Sequence, residues 1–569
     1  MTFQLSPGVV ASEIDLTTVV PSVSTTAGSF AGAFQWGPVL KRILISDENL
    51  LLKQYVKPDS NTYISFLTCA SFLSYGNNLT VVRAANNKSF NATANSTANV
   101  GSNINNTNIF EASFLHQNNA NTMGPFAARY PSALGNSLVV SVIDTTSNSA
   151  NFASWQYASL FNGTPGTSAQ VLSAGGANDE LHVVVVDAGG LFTGIKGTVL
   201  ETFSFVSKAI NAKDSLGNSN YYKEKIFNES TYIYATDPVS FSTTSATWGQ
   251  PMANTSYAVL SSNVTSILSG GTDAVPTTAD LVSAYALFTS VDDIDISLVI
   301  TGGADTTTQQ YVIDNVAEGR KDCVAFISPP SANVINQAGL ETTNITTWLN
   351  GLSRSSSYTF VDSGWKYMFD KYNNTFRWVP LNGDMAGLCV ITDTLRDAWW
   401  SPAGLNRGNV KNLVKLAWNP TKTMRDVLYS KGVNPVVSFP GSGTFLYGDK
   451  TLQTKPSAFD RINVRRLFIV LEKAISRAAK YSMFEFNDEF TRAQFVALVT
   501  PYLRDVQGRR GVTDYRVVCD TTNNTGQVID NNQFVGDIYV KPSRSINFIQ
   551  LNFVAVGTGV DFTEIVGSF

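Results

Sequence analysis

Histidine, the side chain best suited to proton transfer near neutral pH, occurs only twice in 569 residues, at His116 and His182. Hydrolysis through a Ser–His or Cys–His couple would need one of them beside a nucleophile. His116 sits in an Asn-rich run and His182 opens the apolar run LHVVVV; neither has a nucleophile elbow nearby. A surface or strand-edge position is expected for both. The cysteines, Cys69, Cys323, Cys389 and Cys519, are scattered and form no C-x-x-C pair. Cys323, Cys389 and Cys519 lie in apolar strand-like runs, where a thiol behaves as a small hydrophobe. In VDDID, Asp292, Asp293 and Asp295 could offer oxygens to Mg²⁺ or Ca²⁺, but the glycine and distal Glu of a calcium loop are missing. A solvated turn before a strand is expected there. GTFLYGDKT, from Gly443 to Thr451, approaches a phosphate loop, yet Asp449 separates the second glycine from Lys450 and would repel a phosphate. The expectation is a glycine-rich surface loop. These readings assign no catalytic, metal or cofactor residue, and the chain is expected not to be an enzyme.

Lys plus Arg number 40 against 44 Asp plus Glu, a formal charge of −4. That balance excludes a broadly basic nucleic-acid coat. Charged residues make up 15% of the chain, below the roughly 25% usual for soluble domains, and the neutral surface this leaves favours protein–protein contact. More than half of the cations lie beyond residue 389. There SAFDRINVRRLFIVLEKAISRAAKYSMFE predicts the strongest helix, with Ser457 and Asp460 in a capping arrangement. Leu467, Leu471, Ala474, Ile475 and Ala478 form its apolar stripe. Arg461, Arg465, Arg466, Lys473, Arg477 and Lys480 fall on its other faces, predicting a charged surface toward a protein partner. Nearby Glu472, Glu485, Asp488 and Glu489, and the lack of a stacking motif, argue against nucleic acid. DEFTRAQFVALVTPYLRDVQG predicts a second helix ending at Gly508, with Pro501 expected to kink or break it.

The elements around these residues divide the chain. Residues 1–20 read as an extended arm, broken by Pro7 and Gly8, in which Val9, Val10, Ile14 and Leu16 suit a strand. GAFQWGPVLKRILIS predicts strand, turn, strand; SFLTCASFLSYG a helix; LTVVRAA a strand. The Asn-rich run 86–123 reads as an exposed, loop-rich connection, and YPSALGNSLVVSVID, LHVVVVDAGG, TVLETFSFV and STYIYATD as strands beyond it. Then DISLVITGG, TTTQQYVIDNVAEGR and DCVAFISPP spell a right-handed β-α-β unit, expected to rejoin residues 21–83. SYTFVDSGWKYMFDKYNNTFRWVP reads as short antiparallel strands turning at Asn373-Asn374, and TDYRVVCD, FVGDIYVKPS and SINFIQLNFVAVG as later strands. The expected architecture is a multidomain α+β/α/β chain with an α/β inner core. It comprises an arm at 1–20, a discontinuous α/β domain of 21–83 plus 286–389, and an inserted β-rich outer domain at 84–285. A C-terminal inner domain at 390–557 and an arm strand at 558–569 complete it. No basic start with an apolar run and no long apolar span is seen, so neither a signal peptide nor membrane insertion is expected.

Several segments together resemble the tail sheath proteins of contractile-tailed, myovirus-type bacteriophages. They are PGVVASEID, GAFQWGPVLKRILIS and YPSALGNSLVVSV, then WWSPAGLNRGNV, LYSKGVNPVVSFPGSGTFLYGDKTLQ, AFDRINVRRLFIVLEKAI and EFNDEFTRAQF. The likeness spans both ends of the chain and is densest over residues 390–569. It implies a virion structural subunit, assembled in the host cytoplasm, that polymerises as stacked hexameric rings around a tail tube. Contraction of such a helical assembly would drive the tube through the host envelope for genome delivery. Its implied partners are copies of itself, the tube protein, and baseplate and tail terminator proteins, with no direct nucleic-acid contact and no cofactor. The resemblance also implies strand exchange between subunits, which places Val9, Val10, Ile14 and Leu16 at one end, and Phe562, Glu564, Ile565 and Val566 at the other, in neighbouring sheets. The family's C-terminal portion lies against the tube, so Arg461, Arg465, Arg466, Lys473, Arg477 and Lys480 become candidates for tube or neighbour contact. The alternatives are a phage-associated hydrolase with an acidic metal site at 292–295, and another virion structural protein.

Overall fold

The structure is a computed structural model that describes residues 23–94, 103–115, 123–144, 149–236, 247–548 and 550. Two compact units emerge. One comprises Ser22–Ala398 with Pro402–Ala474; the described residues of the other are Trp399–Ser401 and those from Ile475 onward.

The first unit is organised by a seven-stranded sheet. Strand β1 (Gly28–Ala33) is small-residue rich because a helix presses on it: a Cβ on Gly28 would stand 2.7 Å from the Phe72 ring. β2 (Arg42–Ile45) follows the turn at Gly37, then α1 (Tyr63–Leu73) crosses over to β3 (Leu79–Ala84). β3 lies parallel to β1, and β2 pairs antiparallel on its far side. Here the chain leaves the sheet.

It builds four antiparallel strands, β4 (Leu138–Asp144), β5 (Glu180–Asp187), β6 (Thr198–Ser207) and β7 (Val264–Ile267), in the order β6-β5-β4-β7. Among its described residues, the Asn-rich run departs in part from the exposed connection expected of it. The Asn91 side chain is buried, donates to the carbonyls of Ile104 and Ala128 and accepts from Ile104 N–H; Ile104, Phe110 and Leu115 are buried too. An asparagine can satisfy backbone groups as a strand would, so polar composition did not mean solvent exposure.

The chain returns through α2 (Thr278–Ala286), which starts in a Thr277–Asp280 capping box, and lays β8 (Leu298–Ile300) parallel to β1 on the side away from β3. A helical crossover from Thr306 to Arg320, π-type over Val312–Ala317, leads to β9 (Val324–Ile327). β10 (Thr359–Asp362) and, later, β13 (Val433–Asn434) complete the order β13-β10-β9-β8-β1-β3-β2. The expected antiparallel reading of 357–380 holds only in part. β10 is buried throughout and runs parallel to β9, whereas β11 (Trp365–Asp370) and β12 (Thr375–Pro380) form the hairpin that turns at Asn373-Asn374. A strand covered on both faces shows no alternation that would mark its direction. No described helix is long and apolar enough to cross a membrane.

One cation and one ring are prominent among the ties between the inserted strands and the sheet. Arg83, at the end of β3 and buried, donates to the carbonyls of Phe34, Gln35, Gly37 and Pro131 at 2.7–3.1 Å. Trp36, from the loop after β1, packs edge-on to Tyr130 and Phe192 in the inserted core. Replacing Arg83 with Met should strip four buried carbonyls of their donor and lower stability by about 3 kcal/mol or more. Urea unfolding of the chain measures this, and an unchanged midpoint would count against the tie.

Candidate functional site: a cationic helix, an aromatic loop and an open ribbon

Helix α3 (Asn382–Leu395) packs on α1, and α4 (Ile462–Ala479) is the helix that the cation-rich segment predicts. Ser457 caps the short turn Ala458–Asp460 ahead of α4 and not α4 itself. The apolar stripe Leu467, Leu471, Ala474, Ile475 and Ala478 is buried. The cations divide. Arg461 donates to the Tyr429 hydroxyl at 2.9 Å and lies 3.8 Å from Asp449. Arg465 is buried between the rings of Tyr358 and Phe459, 4.1 and 3.9 Å from their centroids; burial lowers its pKa and Tyr358 partly restores it. Arg466 grips Asp393 of α3 with two nitrogens, at 2.8 and 2.5 Å. Burial opposes its charge, but Asp393 outweighs burial and holds the guanidinium proton more tightly than water does. Lys473 reaches Asp295, the Ile296 carbonyl, Ser297 and Asp322. In the single chain, then, Arg465, Arg466 and Lys473 are engaged inward, contrary to the outward-facing cations expected. The carboxylates that meet Arg466 and Lys473, and the Tyr358 hydroxyl that meets Arg465, stand 73 residues or more away in sequence, beyond the reach of helical periodicity. Arg477 is half-buried and Lys480 is exposed.

The candidates for chemistry disperse. Asp292 and Asp293 are exposed while Asp295 meets Lys473, and among the described residues no group of three His, Cys, Asp or Glu is placed to hold a metal. The phosphate-loop lookalike is no surface loop: β14 (Val436–Phe439) and β15 (Gly443–Leu446) form a hairpin, and Asp449 is buried where it accepts from the Tyr429 hydroxyl. His182 is a core residue of β5, not a strand-edge one. It stacks on Phe161, accepts from Phe205 N–H at Nδ1 and contacts the Gly163 carbonyl through Nε2; burial lowers its pKa. His116 lies outside the described residues. All four thiols are buried, and burial raises their pKa.

No motif announced the polar cluster at the carboxyl ends of β9 and β10, the end where open α/β sheets hold ligands. Asp362 accepts from Ser328 and Gly364, Lys366 pairs with Asp384 at 2.9 Å, and Asn382 donates to the Gly302 carbonyl. All of these side chains are buried, and the start of α3 fills the crevice. Burial pushes the Asp362 carboxyl up to about 8.

Beyond α4 the surface changes. Tyr481, Met483, Phe484 and Phe486, in the segment leading into α5 (Glu489–Gly508), and Phe490, in its first turn, are all exposed. α5 runs unbroken through Pro501. Ala497, whose carbonyl loses its donor, is exposed, so water can take the place of the missing N–H. Strands β16 (Val512–Val518) and β17 (Asp537–Pro542) follow as an antiparallel ribbon, and among the described residues that sheet consists of these two strands. Residues 545–548, expected in a further strand, lie outside any strand, with Ile546 and Phe548 exposed.

Residues 274–452 match the phage tail sheath protein central domain, and residues 454–555 the phage tail sheath C-terminal domain. The tail sheath protein of Vibrio phage KVP40 is 35% identical across 99% of this chain and 100% of its own length. The chain belongs to the phage tail sheath family. The tail sheath protein of Enterobacteria phage T4 is 31% identical over 99% of each chain. Two solved structures share the fold of this sheath protein. They are the sheath tail protein of Listeria innocua (TM-score 0.51, 12% identity, 92% of this chain and 96% of that one) and the anti-feeding prophage helical sheath in its contracted state (TM-score 0.50, 11% identity, 97% and 99%). The molecule is thus a structural sheath subunit and a component of the phage tail. The terminal residues Val9, Val10, Ile14, Leu16, Phe562, Glu564, Ile565 and Val566 lie outside the described residues. Sequence reasoning passed over the aromatic loop, although five large apolar residues within ten positions beside Glu485, Asp488 and Glu489 were there to see.

Because Asp362 of this sheath chain titrates near 8 when folded, against 3.8 as its ordinary value, the stability it confers is complete below about pH 4 and is lost as pH rises through 8. Urea unfolding from pH 4.5 to 9 should show Asp362→Asn removing a decline of up to about 1.4 kcal/mol per pH unit. Parallel curves for the two proteins would refute it.

Proposed function

We propose that this sheath subunit assembles as stacked hexameric rings around a tail tube and contracts to drive that tube through the host envelope for genome delivery. Assembly takes place in the host cytoplasm, with the baseplate and terminator proteins closing the ends of the stack. The observation that carries this reading is the β16–β17 ribbon. A two-stranded ribbon is marginal alone and gains most from added strands. Extended terminal arms of neighbouring copies supply them by β-augmentation, through Val9, Val10, Ile14 and Leu16 at one end and Phe562, Glu564, Ile565 and Val566 at the other. Such links survive rotation of the subunit bodies, because backbone pairing at an edge depends little on the rest of the chain.

The C-terminal region, 390–557, faces the tube, with the exposed Lys480, just beyond α4, as a cation that meets acidic groups there. Exposed pairs of this kind are individually weak and so can release on triggering. The inserted region, 84–285, faces outward. Contraction needs no nucleotide if the contracted state buries more surface: each extra 400 Å² or so of apolar burial contributes roughly 10 kcal/mol gross per subunit. The exposed ring of Tyr481, Met483, Phe484, Phe486 and Phe490 is a surface that assembly covers.

Deleting residues 1–20 and 558–569 should leave a folded chain that no longer polymerises, as seen by electron microscopy of the purified protein; intact tubes from the trimmed chain would overturn the strand-exchange reading. The pair Phe484→Ser and Phe486→Ser should leave the thermal midpoint of the unassembled chain within about 2 °C, as surface changes usually do. The same pair should reduce tube formation severalfold by sedimentation.

A further inference from the structure

The described chain begins at the root of the N-terminal arm, and that root is held far more firmly than a linker needs to be. Ala27 accepts from the backbone N–H groups of Ser297 and Leu298 at 2.8 and 3.0 Å. Ser24 accepts from the Ser297 hydroxyl at 3.0 Å, although Ser24 itself is exposed. Thr25 donates its hydroxyl to Asp393, and its carbonyl lies 3.4 Å from an Arg466 nitrogen. Arg466 and Asp393 are the buried ion pair that joins α4 to α3, with side chains only 4% and 6% exposed. The root therefore lies across a preformed charge pair: Ser297 and Leu298, at the start of β8, hold Ser24 and Ala27, while α3 and α4 hold Thr25 between them.

We infer that Thr25, Asp393 and Arg466 form the anchorage of the N-terminal arm, through which tension on the arm enters α3 and α4 of the subunit body. The inference rests on the strand-exchange reading above. Its physical content is that the grip on Thr25 matters only when the arm is pulled. In the unassembled chain the Arg466–Asp393 pair is complete without the threonine, since each charge already has two contacts to the other. In an assembled tube the arm is fixed at its far end in a neighbour, and bonds along the root carry load side by side. Losing the hydroxyl then removes a hydrogen bond to a charged acceptor, one of the stronger kinds. Fraying of the root would proceed from Ser24 through Thr25 toward Ala27, lengthening the link between copies before β1 itself is disturbed.

The test uses the full chain carrying Thr25→Val, with Thr25→Ser as the rescue and Thr25→Ala as a second loss variant should the valine fail to fit. Tubes assembled from each protein are placed in a fixed, subdenaturing urea concentration and their disassembly is followed by light scattering. In parallel, the thermal midpoint of each unassembled chain is measured. Expected are disassembly about tenfold faster for the Val and Ala variants, the factor that loss of one hydrogen bond to a charged group brings. Wild-type rates should return with Ser, and thermal midpoints should be alike for all four proteins. Equal disassembly rates overturn the anchorage. So does a thermal midpoint that falls in step with the rate, because the contact would then be part of the fold alone. A chain lacking residues 1–20 separates the two proposals: if it still builds tubes, strand exchange itself fails, whereas if it does not and Thr25→Val tubes match wild type, only the anchorage fails.

Discussion

A polar group taken out of water must find a partner, and this one constraint orders the molecule. Arg83 spends its guanidinium on four carbonyls and joins the inserted strands to the sheet. Lys208 and Asp144, both wholly buried, meet at 2.6 Å inside the inserted region, where Lys208 also donates to the carbonyls of Asn178 and Ala258. Lys366 and Asp384 do the same under α3, and Arg466 and Asp393 between α3 and α4. Such pairs add little net stability over apolar packing, but removing one partner is severe, so each fixes which elements may meet. The β16–β17 ribbon is subject to the same rule, and in the assembly proposed above its partners come from neighbouring copies.

Much of the fold could be read directly. The strand-turn-strand of residues 28–45, the helix at 63–73 and the β-α-β unit around residues 298–327 carry strong local signals: apolar runs, a glycine-proline turn, and apolar residues at helical spacing. Local patterns also marked α4 and its buried stripe. What they could not show was pairing. Arg465 and Arg466 look like solvated cations because their sequence neighbours are polar or apolar without being acidic. Their partners come from residues 358 and 393, and only the folded chain brings these close. Thr359–Asp362 looked like part of a meander because a doubly covered strand has no period to read. Asn91 and His182 were placed in solvent on average behaviour, whereas each meets its own backbone partners inside.

The dispersal of the chemical candidates and the condition of the crevice point the same way. The carboxyl end of the parallel sheet, where a catalytic site of such a fold would be sought, is filled by buried side chains: Asn382 bonds to Gly302, and Lys366 pairs with Asp384. Polar residues there fix how the sheet and α3 meet. The exposed features, an aromatic loop and a ribbon of two strands among the described residues, belong instead to the region after α4.

The central claim is that the ends of each copy complete the ribbon of another. The most direct measurement is an image of the assembled sheath at a resolution that traces the backbone, in both extended and contracted states. The predicted result is a segment from residues 1–20 of one copy hydrogen-bonded beside β16 or β17 of a different copy in both states. Arms folded onto the ribbon of their own chain, or released from neighbours on contraction, would contradict it.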